Sequence, residues 1–231
     1  MPRDIPRAAA RRKAARINRA LTEEYGEKSA GSDEDPVDTL VETILSQNTT
    51  DINSHRSFMA LKKAYGDWHG LLGEDQAVVS GIIRSGGLPD IKARRILDAL
   101  DFIHRERGRI ELDFLRDMPP ADADRWLAQM KGVGPKTRSI VLLFSLGMAA
   151  FPVDTHIHRV TRRIGLIGPK VTREQAQAVL GALVPEREYY NFHINLIEHG
   201  RAVCRARRPA CGACVVAGMC DHFSAAAKAQ P

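Results

Sequence analysis

The sequence predicts an all-α fold, and three observations support that prediction. Apolar residues recur at helical spacing through most of the 231 residues, no segment alternates as a β-strand does, and the connections are short and contain Gly and Pro. There is also no internal repeat of fixed period. We therefore expect packed helices without a sheet.

Local signals predict where the helices begin. Residues 37–45 carry one apolar stripe, with Asp35 as N-cap and Pro36 in the first turn. Thr172 and Gln175 have the spacing of a capping box. Residues 140–146 are apolar on every side, which predicts a central, buried helix. The remaining stripes span residues 91–103 and 122–130.

The net charge of +6 lies at one end of the chain. Residues 1–20 contain seven Arg or Lys and one Asp, so the remainder is formally neutral. This basic arm has two interpretations that the sequence leaves open, a solvated and partly disordered segment or a segment that grips phosphates. The chain after residue 223 is expected to be disordered.

No membrane span is expected, because the longest apolar stretch, residues 140–153, is short and interrupted. No signal peptide is expected either, since no apolar core follows the basic start. The Arg- and Ala-rich start resembles a mitochondrial transit peptide, which is the less favoured interpretation.

The four cysteines form one cluster, Cys204, Cys211, Cys214 and Cys220, separated by six, two and five residues. Such clustering indicates a metal site in a reducing compartment. Four thiolates bind either zinc or a [4Fe–4S] cluster. A single loop with only one CxxC pair favours iron–sulfur over zinc, without excluding zinc.

The loop between the first two cysteines contains three cations. Arg205, Arg207 and Arg208 project from a segment that the metal would hold rigid. They form either a solvated charge run or a phosphate clamp.

A glycine turn lies between two predicted helices at residues 131–137, KGVGPKT. Gly132 and Gly134 permit a tight turn whose N–H groups approach an anion, and Val133 lies between them. Lys136 then falls in the first turn of the next helix, where the helix dipole disfavours its positive charge. An amine in that position is a candidate nucleophile, although a surface lysine fits this segment equally well.

Asp154 precedes a further predicted helix, which Gly165 would end. A carboxylate at a helix N-terminus stays ionised. Asp154 is therefore either a structural cap or a carboxylate directed at positive charge that develops in a reaction.

Taken together, these segments resemble the endonuclease III branch of the helix-hairpin-helix DNA glycosylases. The resemblance covers residues 37–221. The matching segments are LSQNTTD at 45–51, GLPDIKA at 87–93, KGVGPKT at 131–137, VDTHIHRV at 153–160, HGR at 199–201 and the cysteine spacing.

The resemblance implies a bifunctional DNA glycosylase and AP lyase that acts on double-stranded DNA with oxidised or ring-saturated pyrimidines or abasic sites. Lys136 would attack C1′ of the nucleotide, and Asp154 would assist it. Asn48 would fill the vacated space in the duplex, and Leu88 would wedge against the opposite strand. The remaining implied DNA contacts are Gln47 and Asp51 near the pocket, Gly132, Val133 and Gly134 in the turn, and Arg205, Arg207 and Arg208 in the loop.

The resemblance also implies two helical lobes with DNA in the cleft between them, a [4Fe–4S] cluster and a monomer. A six-helix barrel would span residues 30–148. A cluster lobe would span 149–222 and pack with the arm at 1–29, leaving 223–231 as a tail. The expected location is the bacterial cytoplasm and nucleoid, or the mitochondrion or nucleus of a eukaryote.

Two differences from the family affect the expected lesion preference. Asn48 is one methylene shorter than the glutamine often found there, and Pro89 stiffens the turn after Leu88. Two alternatives remain, a monofunctional glycosylase and a non-catalytic iron–sulfur protein that binds DNA. Lys136 argues against a monofunctional glycosylase, because such enzymes generally lack a lysine at this position. A non-catalytic protein would share the cluster and the basic loop and would lack only the nucleophile.

Overall fold

The computed structural model describes residues 7–29 and 34–228, and within these ranges every regular element is a helix. The predicted all-α fold is therefore confirmed. No helix in these ranges is both long enough and apolar enough to cross a bilayer. The eleven α-helices are α1 Arg7–Tyr25, α2 Pro36–Leu45, α3 Asp51–Tyr65, α4 Gln76–Ile82, α5 Pro89–Arg107, α6 Pro120–Leu127, α7 Pro135–Ile140, α8 Thr155–Ile164, α9 Arg173–Leu183, α10 Tyr189–Ala202 and α11 Asp221–Lys228.

The described residues form two compact units. The central unit comprises 34–148, and the terminal unit comprises 7–29 with 149–228. The lobe boundaries expected from the sequence, after residues 29 and 148, lie beside these divisions. The central unit holds the six helices α2–α7, and the terminal unit holds the other five.

Helix α2 is the core of the central unit. It packs against α3, α5 and α7, and its apolar stripe is buried. Asp35 accepts hydrogen bonds from the N–H groups of Val37 and Asp38, which confirms the predicted N-cap. The predicted buried segment after α7 continues as a π-helical turn, Val141–Ser145, and this turn packs on α2.

Helix α1 belongs to the core of the terminal unit. Its residues Ile17 and Leu21 are fully buried, and the helix packs on α9 and α10. Disorder is therefore wrong for residues 7–25 of the basic arm, while residues 1–6 lie outside the described ranges. The cations Arg12, Arg16 and Arg19 remain exposed on this helix.

Helix α11 corrects the expectation of a disordered tail from residue 223. It continues to Lys228 and packs on α8, and residues 229–231 lie outside the described ranges. The carboxylate of Asp221, its first residue, contacts Lys13 of α1 at 2.7 Å. The backbone of Gly165, which ends α8, also abuts Asp221, because a Cβ on Gly165 would lie 1.9 Å from the carboxylate. These contacts with α1 and α8 order the helix, and they involve partners distant in sequence.

Candidate active site and cysteine cavity

Two turns of the central unit hold non-glycine residues in the left-handed conformation. Asn48, in the turn after α2, has φ 54°, and Leu88, before α5, has φ 51°. Both side chains are exposed, and Leu88 retains 48% of its surface. Such a conformation costs leucine about 1–3 kcal/mol and persists there only where neighbouring contacts impose it, whereas asparagine adopts it more readily. The Leu88 turn is therefore held in place by the structure around it.

The turn after α2 also positions Gln47 and Asp51. Asp51 begins α3, one residue after the N-cap Thr50, whose side chain accepts from the N–H of Asn53. The Gln47 amide nitrogen lies 3.5 Å from the hydroxyl of Thr137, the residue that follows Lys136. The central unit thus brings Gln47 next to the first turn of α7, where Lys136 lies.

The glycine turn before α7 depends on a close approach of Arg95. Gly132 has φ 83°, and a Cβ there would lie 2.7 Å from the Cγ of Arg95. The guanidinium of the same arginine donates a hydrogen bond to the Gln47 side-chain oxygen. Arg95 therefore packs against the glycine turn and holds Gln47 in the same part of the unit.

The backbone N–H groups of the glycine turn differ in whether they donate a hydrogen bond within the protein. Within the described residues, neither Gly132 N–H nor Gly134 N–H donates a backbone hydrogen bond, and a Cβ on Gly134 would meet open space. Val133 does not fit its expected DNA contact. Its side chain is 4% exposed, its N–H donates to the carbonyl of Met130, and its carbonyl accepts from Arg138. The apolar side chain is buried in the core, so only the two glycines present N–H groups.

Lys136 lies in the first turn of α7, immediately after Pro135, as the sequence predicts. The side chain is half-buried, and the helix starts at Gly134 without a side-chain cap. The first-turn N–H groups of such a helix present partial positive charge. A neutral amine in this place is chemically able to attack an electrophilic carbon.

Asp154 lies in the terminal unit, at the N-terminus of α8. Its Oδ1 accepts a hydrogen bond of 2.7 Å from the N–H of Ile157, which confirms the predicted cap, and Gly165 ends the helix. Within the described ranges Oδ2 accepts no hydrogen bond. The carboxylate therefore combines a structural contact through one oxygen with a second oxygen that is available for chemistry.

The four cysteines of the terminal unit line one cavity of about 340 Å³, part of which is open to solvent. All four are free thiols. Across residues 7–29 and 34–228, no set of three or more His, Cys, Asp or Glu side chains is arranged to hold a single metal ion. The four cysteine side chains share the lining of this one cavity. That arrangement, with four soft donors, fits a multinuclear iron–sulfur cluster.

Burial raises the pKa of the Cys214 and Cys220 thiols, and the neighbouring cysteines raise it further. Four thiolates in one cavity therefore require compensating positive charge, which iron supplies when it binds.

Two arginines of α8 hold the cysteine loop. The guanidinium of Arg163 donates to the carbonyls of Arg205 at 2.7 Å and Ala206 at 3.0 Å, and lies 3.5 Å from the Cys204 sulfur. Arg159 donates to the carbonyl of Cys204 at 2.9 Å. These contacts fix the loop through its backbone.

The outward cations of the cysteine loop are Arg205, Arg207 and Arg208. All three are exposed, and no ion pair involves them within the part of the chain that the structure describes. Arg208 has φ 49°. Fixed by its backbone, the loop presents three guanidinium groups to solvent.

A buried hydrogen-bond chain reaches another cysteine. The hydroxyl of Tyr25 lies 3.0 Å from Nδ1 of His199, whose Nε2 lies 3.5 Å from the Cys214 sulfur. Burial lowers the pKa of His199 to about 4 and raises that of Tyr25 to about 12. At neutral pH the imidazole is therefore neutral, with one ring nitrogen facing the tyrosine hydroxyl and the other facing the sulfur.

Comparison with known proteins agrees with this fold and these sites. Residues 41–186 match the model of the HhH-GPD superfamily of base excision DNA repair proteins. Residues 204–220 match the iron-sulfur binding domain of endonuclease III. An endonuclease III of Synechocystis sp. is 35% identical over 82% of this chain and 83% of its own length.

The chain therefore belongs to the endonuclease III family of base excision repair DNA glycosylases, and its cysteine cavity holds an iron–sulfur cluster. An Arabidopsis thaliana protein named as a candidate DNA glycosylase is 34% identical over 76% of this chain, which spans 60% of that protein. A solved endonuclease III trapped as a covalent intermediate with DNA has the same fold, with a TM-score of 0.80 and 24% identity over 94% of this chain and 98% of that one.

Sequence reasoning missed the residues that hold the site. These residues are cations that donate hydrogen bonds to backbone carbonyls or to another side chain, namely Lys92, Arg95, Arg159 and Arg163. One signal was available, because Lys92 lies on the buried stripe of α5, four residues before Ile96. A lysine in the middle of an apolar stripe indicates a buried cation with a specific partner.

We expect Arg163→Ala to weaken cluster binding about 10- to 100-fold, the usual effect of removing a residue that orients metal ligands. Iron per chain and visible charge-transfer absorption after dialysis against a chelator measure this effect. Arg162→Ala, an exposed neighbour on α8, is the control and should retain its cluster. Equal iron in the two variants would contradict the prediction.

Proposed function

We propose that this protein is a bifunctional DNA glycosylase and AP lyase that acts on oxidised or ring-saturated pyrimidines and on abasic sites in double-stranded DNA. The observation that supports this most directly is the position of Lys136. It lies in the first turn of α7, directly after a glycine turn with two unengaged N–H groups. In a member of this family, such a lysine is the expected nucleophile.

The proposed reaction proceeds through a Schiff base. The neutral amine of Lys136 attacks C1′, the glycosidic bond breaks, and the base leaves with a proton. Loss of a proton from nitrogen and opening of the sugar ring give the Schiff base between Nζ and C1′. Removal of a C2′ proton then expels the 3′ phosphate and cuts the strand 3′ to the lesion. Water hydrolyses the Schiff base and restores the lysine.

Asp154 assists this reaction in our proposal. Positive charge develops on the sugar as the glycosidic bond breaks, and an ionised carboxylate stabilises it. The same carboxylate is a candidate general base for the proton that the attacking amine loses. Its cap contact with Ile157 at 2.7 Å fixes one oxygen, so the other keeps a defined direction.

Three of the proposed DNA contacts share an unusual backbone conformation. In the described part of the chain, three non-glycine residues have positive φ, namely Asn48, Leu88 and Arg208, and all three are exposed. Strained residues concentrate at functional sites. We therefore assign Asn48 to the space that the extruded base leaves, Leu88 to the opposite strand, and Arg208 to a phosphate.

The other proposed contacts follow from their positions. Gly132 and Gly134 bind a backbone phosphate through N–H groups. Gln47, next to Thr137, and Asp51 lie near the entrance of the base pocket. Arg205 and Arg207 bind phosphates beside Arg208. The cluster is of the [4Fe–4S] type, held by Cys204, Cys211, Cys214 and Cys220, and it stabilises the arginine-bearing loop. The protein acts as a monomer.

Lys136→Ala should abolish the covalent adduct that borohydride traps on duplex DNA with an abasic site. Strand cleavage should fall by a factor on the order of 10³ or more, because no other group replaces the nucleophile. Binding to the same duplex, measured by fluorescence anisotropy, should persist. Lys63→Ala, at an exposed position of α3, is the control. An adduct that survives in Lys136→Ala would refute the assignment, and its absence in the wild type would favour a monofunctional or non-catalytic protein.

Asp154→Asn should slow single-turnover base release about 10²- to 10³-fold, because it removes the charge that stabilises the transition state. Asparagine caps helices about as well as aspartate, so the melting temperature should hardly change. Asp35→Asn at the N-cap of α2 is the matched control and should leave the rate unaltered. Equal rates for both variants would assign Asp154 to a cap alone.

Replacing Arg205, Arg207 and Arg208 with Gln should flatten the dependence of DNA affinity on salt. The slope of log K against log salt should fall by about 0.9 for each phosphate that the protein no longer neutralises. The control is a second triple variant with the same change in net charge on α1, in which Gln replaces Arg12, Arg16 and Arg19. If the slope falls equally in both triple variants, the loop arginines contribute no more to phosphate binding than the basic residues of α1 do.

A further inference from the structure

Lys92 is among the largest fully buried side chains in the described part of the chain, with 1% of its surface exposed. No carboxylate lies within ion-pair distance of it in those residues. The Lys92 ammonium instead donates to two backbone carbonyls, those of Leu45 and Gly86, each at 2.7 Å. Burial of a charged group without a carboxylate is costly, so this arrangement needs an explanation beyond packing.

The two carbonyls that Lys92 binds belong to the two strained turns. Leu45 ends α2, three residues before Asn48. Gly86 lies two residues before Leu88. The backbone N–H of Lys92 also donates to the carbonyl of Leu88, at 3.1 Å. One residue therefore contacts both segments and joins them.

The turn that bears Leu88 has a second anchor. Gly86 packs against α3, where a Cβ on it would lie 2.7 Å from the Ser57 hydroxyl oxygen, and Ser57 lies 3.3 Å from the carbonyl of Ile83. The turn that bears Asn48 has its own side-chain anchors, because Arg95 donates to the Gln47 side-chain oxygen and the Gln47 amide lies 3.5 Å from the Thr137 hydroxyl. The Lys92 ammonium joins these two separately anchored turns through their backbone carbonyls.

We propose that Lys92 is a positioning residue that sets the distance between Asn48 and Leu88, so that both enter the duplex at one lesion. This inference rests on the proposed function, since it takes these two residues as the groups that enter DNA. A lysine suits the task because its ammonium carries three donors that reach separate carbonyls. We call this pair of hydrogen bonds, from Lys92 to the carbonyls of Leu45 and Gly86, the tie. In our proposal it fixes the separation of the two turns, and Lys92 itself contacts neither DNA nor the reacting atoms.

The geometry gives the tie a specific consequence for substrate choice. Extrusion of a base from a duplex requires that the vacated space be filled and the opposite strand be held. A single-stranded abasic site needs neither, because its sugar carbon is already accessible. Loss of the tie should therefore impair action on duplex DNA and spare single-stranded DNA.

The test uses Lys92→Met, which keeps the length of the side chain and removes its donors, in the cluster-loaded full chain. The control is Lys62→Met, since Lys62 is a half-buried lysine of the same unit that binds Asp38 at 2.9 Å. Within the described residues its ammonium makes no hydrogen bond to either turn. Lys92→Gln is a second, milder variant that keeps an N–H donor but is too short for both carbonyls. Melting curves and visible absorption establish that each variant is folded.

Two measurements separate positioning from general damage. A duplex with 2-aminopurine opposite a stable abasic analogue reports insertion as a rise in fluorescence. Borohydride trapping on duplex and single-stranded abasic DNA reports the chemistry. We expect Lys92→Met to lose most of the fluorescence rise and to fall about tenfold in duplex trapping, as two buried carbonyls lose their donor. Lys92→Gln should show the same losses to a smaller extent, and both variants should keep single-stranded trapping close to that of the wild type.

Other outcomes overturn the proposal. A folded Lys92 variant with wild-type fluorescence and duplex trapping shows that the tie has no role in insertion. Equal losses on duplex and single-stranded DNA assign Lys92 to stability alone. If the wild type forms no adduct on either substrate, the proposed lyase fails, while the 2-aminopurine signal still tests Lys92 by itself.

Discussion

The unpaired N–H groups at helix N-termini are the constraint on which both proposed catalytic residues depend. Every α-helix begins with N–H groups that need an acceptor. Helix α8 meets this need with Asp154, which accepts from Ile157 and is fixed by doing so. Helix α7 starts at Gly134 without a side-chain cap. Its start, preceded by the unengaged N–H of Gly132, is consequently suited to an anion from outside the chain, and Lys136 lies within one turn of that position.

Buried and half-buried cations hold the irregular segments between the helices. Lys92 donates to the carbonyls of Leu45 and Gly86, and Arg163 donates to those of Arg205 and Ala206. A carbonyl that leaves a helix or enters a loop lacks a partner in regular structure. A long cationic side chain supplies that partner and at the same time joins segments far apart in sequence. The loops that carry the proposed DNA contacts are rigid for this reason rather than through secondary structure of their own.

This use of cations permits strained conformations at the exposed positions. Asn48, Leu88 and Arg208 each adopt a positive φ next to a segment held in this way. An isolated turn would relax Leu88 or Arg208, because the left-handed conformation costs such residues about 1–3 kcal/mol, while asparagine adopts it more readily. Hydrogen bonds from the buried cations to nearby carbonyls offset the cost of this conformation. The side chains of the three residues are therefore not needed to hold the turns and remain available to contact DNA. Pro89, expected from the sequence to stiffen one turn, begins α5 directly after Leu88, and proline is compatible with the first position of a helix.

The sequence by itself determined the features that depend on near neighbours. The caps at Asp35, Asp154 and Thr172, the place of Lys136 in its helix and the cysteine spacing all involve residues within a few positions of each other, so their patterns are visible in the sequence. The tertiary structure decided what depends on distant partners. Lys92 and Leu45 are 47 residues apart, and Arg163 and Ala206 are 43 apart. Helices α1 and α11 are likewise ordered by contacts that no local pattern shows. A side chain pairs with a distant carbonyl only when the fold has brought the two together. The spacing of neighbouring residues in the sequence therefore does not predict such a contact.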